Sequence, residues 1–343
     1  MKLIARNPVR AAVRQVRNRF AHKAVILTYH RIGKFHIDPW GLFVSSDHFR
    51  EQLEILRDYG SVLSLNQLVG FLKRGRLPRR AITVTFDDGY SDWFHNAKPL
   101  LEHFAVPATV FLITGKIGEK TPLWWDELQT IMLQSDRLPE TLELRINGHM
   151  HSWSLEDAAR FDDADRAHWS WKASEDPPTA RHATYFALWQ VLRTLADDER
   201  RPIMGELRAW AGLATDDREH SLLSPEQIAS SAASPLFDIG SHSVTHPLFS
   251  AMSPTAQRDE IEKSKSQLGK LLGRPVGSFA FPYGNYTAET PAILREAGFA
   301  CACCTKSGTV QPNTDSYELP RVQVDDCDGV TFAKQLSRWF SSD

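Results

Sequence analysis

The chain has 343 residues, 42% of them hydrophobic and 24% charged, with a formal net charge of −2. That composition suits a soluble globular protein with one large α/β domain or two small ones, and the near-neutral charge gives no global footing for nucleic acid. No run approaches the length of a membrane-crossing helix, no apolar leader with a small-residue cleavage site is seen, and four cysteines without matched Cys-x-x-Cys pairs speak against a cysteine zinc site. The expectation is a cytoplasmic protein with reduced thiols.

Residues 1–23 carry Lys2, Arg6, Arg10, Arg14, Arg17, Arg19 and Lys23 and no acid. Asn7-Pro8 reads as a helix start, with Val9, Val13, Val16 and Phe20 on one face beside a basic one. Such a helix either lies on the anionic inner face of a membrane as a peripheral contact or packs its apolar stripe on the domain. Ala24–Tyr29 is the first strand and ends in Tyr29-His30. Phe49, Leu53 and Leu56 mark a helix, and Leu65–Leu72 a second. Ile82–Phe86 is a β-branched run that reads as a buried strand, leaving through Asp87-Asp88-Gly89. Helix Trp93–Phe104 and strand Pro107–Ile113 continue the alternation expected of a parallel sheet or barrel.

The rhythm breaks from about 120 to 222. Trp124-Trp125-Asp126-Glu127 opens a helix through Met132. Leu142–Ile146 and His149–Trp153 form a hairpin about Asn147-Gly148, and two helices fall around 183–211. With apolar content that looks thin and no flexible linker, the stretch reads as a long, mainly helical insertion in a barrel loop, so that residues 24–343 form one unit. Its tryptophans either fill a core or stack on a sugar face. Alternation resumes at Ser224-Pro225-Glu226 with strand Leu236–Gly240, helix Thr255–Leu272, strand Ser278–Phe281, helix Ala288–Ala297, strands Phe299–Cys304 and Glu318–Val324, and a last helix from Val330 to Phe340.

Two adjacent carboxylates at a strand end repel unless a cation or a proton separates their roles. A partner for them follows strand Leu236–Gly240, where Ser241-His242-Ser243-Val244-Thr245-His246-Pro247 puts two imidazoles four apart. They share one face, close enough for one metal, if the segment makes a helical turn. Two histidines and a carboxylate leave positions open for water and substrate. With Asp88 as ligand, Asp87 is free to act as general base, and His30 could supply the acid that a leaving amine needs. Phe281-Pro282-Tyr283-Gly284 reads as a tight turn at another strand end. It is either a plain turn or a set of backbone donors for an oxyanion, with Tyr283 walling the pocket.

Thr85-Phe86-Asp87-Asp88-Gly89, His242-Ser243-x-x-His246-Pro247 and Phe281-Pro282-Tyr283-Gly284 appear in this order and together resemble the polysaccharide deacetylases of carbohydrate esterase family 4. The resemblance covers about 24–116 and 222–325. It implies an α/β fold, a distorted (β/α)7-8 barrel, and an enzyme that removes N- or O-acetyl groups from sugars with a divalent metal. Carried over, it implies Asp87 as catalytic base, Asp88, His242 and His246 as metal ligands, and Pro282, Tyr283 and Gly284 at the substrate and oxyanion side. The sequence departs from the family pattern at Ala280, where many members carry the arginine that holds the base; Arg321 is the candidate replacement. No histidine follows His246 in a late Leu-x-x-His motif. Tyr29-His30 instead matches the circularly permuted subgroup resembling poly-N-acetylglucosamine deacetylases, which implies His30 as general acid. The cofactor expected is a divalent metal, zinc first, with cobalt, nickel or iron also suited to this donor set. The partner expected is an N-acetylated glycan or glycolipid. A degenerate carbohydrate-binding barrel, or a metal-dependent hydrolase of non-sugar amides or O-acetyl esters, is the alternative.

Overall fold

The computed structural model describes residues 22–35, 37–161, 165–213 and 222–341. The expected basic helix over residues 1–23 therefore falls outside the described residues, its last two positions excepted.

Eight strands build one parallel sheet: β1 (Ala24–Tyr29), β2 (Ser61–Val62), β3 (Ala81–Phe86), β4 (Ala108–Leu112), β5 (Phe237–Ser241), β6 (Ser278–Ala280), β7 (Cys301–Cys303) and β8 (Val322–Gln323). Every residue of β1, β3 and β4 is buried. That explains their unbroken apolar and β-branched runs, because a parallel strand covered on both faces has no polar side to alternate with. The order is β7-β6-β5-β4-β3-β1-β8, with β2 beside the start of β3 and β4 beside its end.

The sheet curls into a distorted (β/α) barrel, and residues 316–323 bridge its two edges. The Ala302 N–H donates to the Ser316 carbonyl and the Leu319 N–H to the Ala302 carbonyl; three residues later Val322 and Gln323 pair with Leu27 and Thr28 of β1. The single strand expected over Glu318–Val324 is thus split at Pro320-Arg321. The segment has to leave one edge and join the other, and proline offers no N–H to a continuous ladder.

Helices cover the outside of the barrel. Helix α1 (Ser46–Tyr59) turns Phe49, Leu53 and Leu56 inward, capped by Ser45, and α2 (Leu65–Lys73) carries a Ser64/Gln67 capping box. The segment expected as one helix over Trp93–Phe104 begins as a π-turn, Trp93–Ala97, before α3 (Lys98–His103).

The long insertion carries α4 (Trp124–Gln134), α5 (Ala180–Leu192) and α6 (Asp197–Trp210). Its hairpin spans Thr141–Ile146 and His149–Ser154, turning on Asn147 and Gly148 with φ of 51° and 80°, as the Asn-Gly pair requires. The expectation of thin apolar content is corrected. Leu128, Ile131, Met132, Leu142, Leu144, Leu188 and Leu207 bury into a core of the insertion's own, which also takes in Ile37, Tyr90 and Ile113 from the barrel. Beyond it lie α7 (Pro225–Ala232), α8 (Pro254–Leu272), α9 (Thr290–Glu296) and α10 (Gly329–Ser341).

Candidate active site

The C-terminal ends of β1, β3, β5 and β6 open on one cavity of about 340 Å³, lined by His30, Asp87, Asp88, His242, His246, Tyr283, Gly284 and Arg321 among others. Strand ends on this face of a parallel barrel are where loops converge and no ladder uses the side chains. Of the residues singled out in the sequence, Pro282 alone does not line the cavity; it is buried behind it, where it starts the short turn that carries Tyr283.

Asp88, His242 and His246 each present one donor atom, and these three atoms lie within 4.8 Å of one another. His242 Nε2 is 3.5 Å and His246 Nε2 3.7 Å from Asp88 Oδ1, and the two Nε2 atoms are 3.2 Å apart. The helical turn that would align the imidazoles on one face is not formed. Residues 242–247 are a loop, in which Ser243 and His246 have φ of 65° and 58°. Left-handed backbone at two non-glycine residues aims both rings inward, at a cost of about 1–3 kcal/mol each. Asp88 and Tyr283 share this feature, with φ of 71° and 55°, so strain collects at the cavity. Gly284 shares it too, and a Cβ there would overlap Thr305.

Supporting groups hold the loop. His242 Nδ1 lies 2.8 Å from the Ala280 carbonyl. Donation to that oxygen leaves the Nε2 lone pair for a cation. The residue that departs from the family's arginine therefore contributes through its backbone. Glu260 of α8 accepts from the Val244 N–H (2.7 Å), the Thr245 N–H (3.0 Å) and the Thr245 hydroxyl (2.9 Å). Nothing in the sequence singles out Glu260; it stands between Asp259 and Glu262 on a charged helix, where one more acid carries no local signal.

The two carboxylates are in different surroundings. Asp87 accepts two hydrogen bonds of 2.7 Å from Arg321, one to each oxygen. Arg321, 2% exposed, is itself steadied by the Cys304 carbonyl and the Thr85 hydroxyl at 3.3 Å. Burial acts to raise the Asp87 carboxyl, but the Arg321 guanidinium, together with His242 and His30, outweighs it and holds the group at about 2. Asp88 has no arginine or lysine ion-pair partner among the described residues; its partners are the two imidazoles. Burial first, then the Asp87 charge, push its carboxyl well above the usual range. Burial likewise lowers both His242 and His246. A buried carboxylate that lacks a counter-charge, facing two neutral imidazoles, fits a divalent cation.

His30 follows β1 into the cavity. Its Nδ1 is shielded and has no hydrogen-bond partner among the described residues, and burial lowers its pKa to about 4 against the pull of Asp87. The opposite wall is aromatic. Trp125 and Tyr283 sit on the His246 ring with centroids 4.8 and 4.4 Å away, and Trp189 lies 5.9 Å from Tyr283. Trp125 is pinned by its indole N–H to the Tyr90 hydroxyl (2.8 Å), which donates in turn to Asp126 (2.8 Å). Trp125 and Trp189 belong to the insertion, so this segment forms part of the cavity wall.

A family model described as polysaccharide deacetylase matches residues 74–174 and 182–302. The chain is 30% identical over 331 residues to the poly-β-1,6-N-acetyl-D-glucosamine N-deacetylase of Staphylococcus aureus (strain MSSA476), covering 93% of this chain and 83% of that protein. Among solved structures, IcaB from Ammonifex degensii matches with a TM-score of 0.56 at 20% identity, over 94% of this chain and 98% of that one. The Streptococcus pyogenes deacetylase PplD in complex with acetate matches with a TM-score of 0.53 at 19% identity, over 92% and 98%. These structural likenesses bear on the fold alone. The family model matches more than half of the chain, through most of the long insertion as well as the barrel, and the curated relative aligns along most of both chains; this chain belongs to the polysaccharide deacetylase family and is a deacetylase-type hydrolase.

Proposed function

We propose that the chain is a divalent-metal-dependent N-deacetylase of an N-acetylglucosamine-containing glycan, free or lipid-linked. One observation carries the reading: three buried donor atoms within 4.8 Å of one another stand beside a second carboxylate gripped on both oxygens by arginine. Asp88, His242 and His246 would hold the cation, zinc first, with cobalt, nickel or iron also compatible with such donors. Bound there, a divalent cation supplies Lewis-acid chemistry, making a water acidic and polarising the amide carbonyl.

The side chains then divide the proton work. Asp87 is ionised at neutral pH and takes a proton from the attacking water as general base. Arg321 fixes both of its oxygens, so the carboxylate is oriented as well as charged. The backbone N–H at Tyr283, turned by its left-handed conformation, faces the developing oxyanion, with Pro282 and Gly284 shaping the turn. His30 donates a proton to the departing amine. Since burial keeps His30 neutral beforehand, that proton reaches it during the reaction, from the side of Asp87. Free amino sugar and acetate are the products.

We read residues 24–343 as one barrel unit with the insertion at about 120–222, and residues 1–23 as a peripheral contact with the inner face of a membrane in the cytoplasm. Sedimentation with anionic liposomes should be lost on deleting residues 1–22; unchanged sedimentation would end the membrane reading. For the activity, acetate release is followed from β-1,6-linked N-acetylglucosamine oligosaccharides with zinc, and again after chelation. Release that chelation abolishes and zinc restores is the expected result. Release only from O-acetyl esters or non-sugar amides would change the substrate class. Binding without release would make the chain a carbohydrate-binding barrel.

A further inference from the structure

The insertion places a cation in the cavity that the chemistry above does not use. Arg193, just past the end of α5, lines the catalytic cavity and also a second one of about 570 Å³ beside it. The two cavities share Trp40, Trp189, Arg193 and Gln323. These four residues are thus the threshold between the reacting position and the space next to it.

Arg193 differs from its neighbours in the insertion. Arg181 donates to the Ser135 carbonyl, Arg200 to the carbonyls of Leu192 and Leu195, and Arg208 pairs with Glu127. Among the described residues the Arg193 side chain has neither a carbonyl nor a carboxylate partner, and its guanidinium stacks 4.7 Å from the Trp189 ring centroid; its Nε is buried without a hydrogen bond, a feature it shares with Arg200. A buried N–H without a partner is costly, on the order of 1–3 kcal/mol, and is retained where something else satisfies it.

The surroundings indicate what that is. Trp40 and Trp189 stack at 3.9 Å, and the Trp40 indole N–H is tied to the Tyr185 hydroxyl at 2.8 Å, so the aromatic surface is rigid. Gln323 donates its Nε2 to the carbonyls of Trp40 (3.1 Å) and Gly41 (2.7 Å), which leaves its Oε1 as an acceptor. A flat apolar surface, a planar set of donors and one acceptor match a pyranose, with its apolar C–H face and its ring of hydroxyls. We propose that Arg193 is a substrate-binding, specificity-determining residue for the sugar unit that adjoins the one losing its acetyl group. The enzyme then prefers an oligomer to a single sugar. This rests on the glycan deacetylase reading and names the form of its substrate.

The test compares the zinc-loaded full chain with Arg193→Ala and Arg193→Lys on N-acetylglucosamine and on its β-1,6-linked tetramer. Wild type should favour the tetramer in kcat/KM. Arg193→Ala should raise KM for the tetramer on the order of 10-fold while changing kcat much less, so that the preference collapses; Arg193→Lys should restore part of it. Arg193→Gln keeps most of the side chain and carries the same test should the alanine variant fail to fold. An unchanged tetramer KM, or an equal loss on monomer and tetramer, would overturn the assignment with the deacetylase reading intact. A zinc-loaded wild type that releases no acetate from either substrate would overturn both.

Discussion

The barrel strands deliver Asp87, Asp88, His242 and His246 from the first residues of short loops, whereas the insertion delivers Trp125, Trp189 and Arg193 from helices with a separate core. On the barrel side the backbone is strained and three supports are in place: Arg321 on Asp87, the Ala280 carbonyl on His242 and Glu260 on the histidine loop. On the insertion side the rings are packed and the one cation at the threshold is left open to a ligand. The difference separates reactivity, which needs fixed distances at a few atoms, from recognition, which needs a surface. Substitutions on the two sides should accordingly fail in different ways.

The largest effect is expected at the ligand set. Asp88→Ala and His246→Ala should lose bound metal and acetate release together, as read by metal analysis of the purified protein; full metal content with normal turnover would remove them from the site. Next, Asp87→Asn and His30→Ala should retain metal and lose turnover by 10²-fold or more, the usual scale for general acid–base groups. A neutral Asp87 variant with wild-type kcat would end its role as base.

Arg321→Met should be milder in rate, on the order of 10-fold or more, and should leave a signature in pH. The guanidinium, with His242 and His30, keeps the Asp87 carboxyl at about 2 against a burial effect of opposite sign. Removing it raises that carboxyl, so the acid limb of kcat/KM should move to higher pH; a limb that stays in place would show that Arg321 does not tune the base. Smaller again is Gly284→Ala, where positive φ and overlap with Thr305 should lower stability by about 1–3 kcal/mol, measured by denaturant unfolding. Smallest is Trp40→Ala, where a barrel loop residue stacks on Trp189 of the insertion wall. It should raise KM a few-fold with kcat nearly kept, and a fall in kcat alone would erase the distinction drawn between the two walls.

Legibility in the sequence follows the range of the interactions. Strand β3 and the Asp87-Asp88 pair could be read because a buried β-branched run and the turn after it are neighbours in sequence. The histidine pair is visible by spacing, but its conformation is not: Ser243 and His246 take left-handed backbone, Glu260 holds Val244 and Thr245 between them, and neither Ser nor His announces positive φ. Arg321 stood out only through the resemblance to the family, since its partner is 234 positions away. The insertion's core escaped notice because its polar connecting stretches dilute an apolar pattern that is clear once α4, the hairpin and α5 are taken together. Trp40 and Arg193 meet only through the packing of that segment on the barrel, which no local pattern encodes.

The bridging segment 316–323 has a consequence for the order of assembly. Arg321 sits in the last piece of backbone to join the barrel, between its pairing with β7 and with β1, and it grips a carboxylate presented by the third strand. During synthesis the clustered donors Asp88, His242 and His246 are all present once residue 246 has emerged, yet Asp87 stays ungripped until Arg321 follows. Closing so long a loop is entropically slow. In refolding, metal capture should therefore precede catalytic competence.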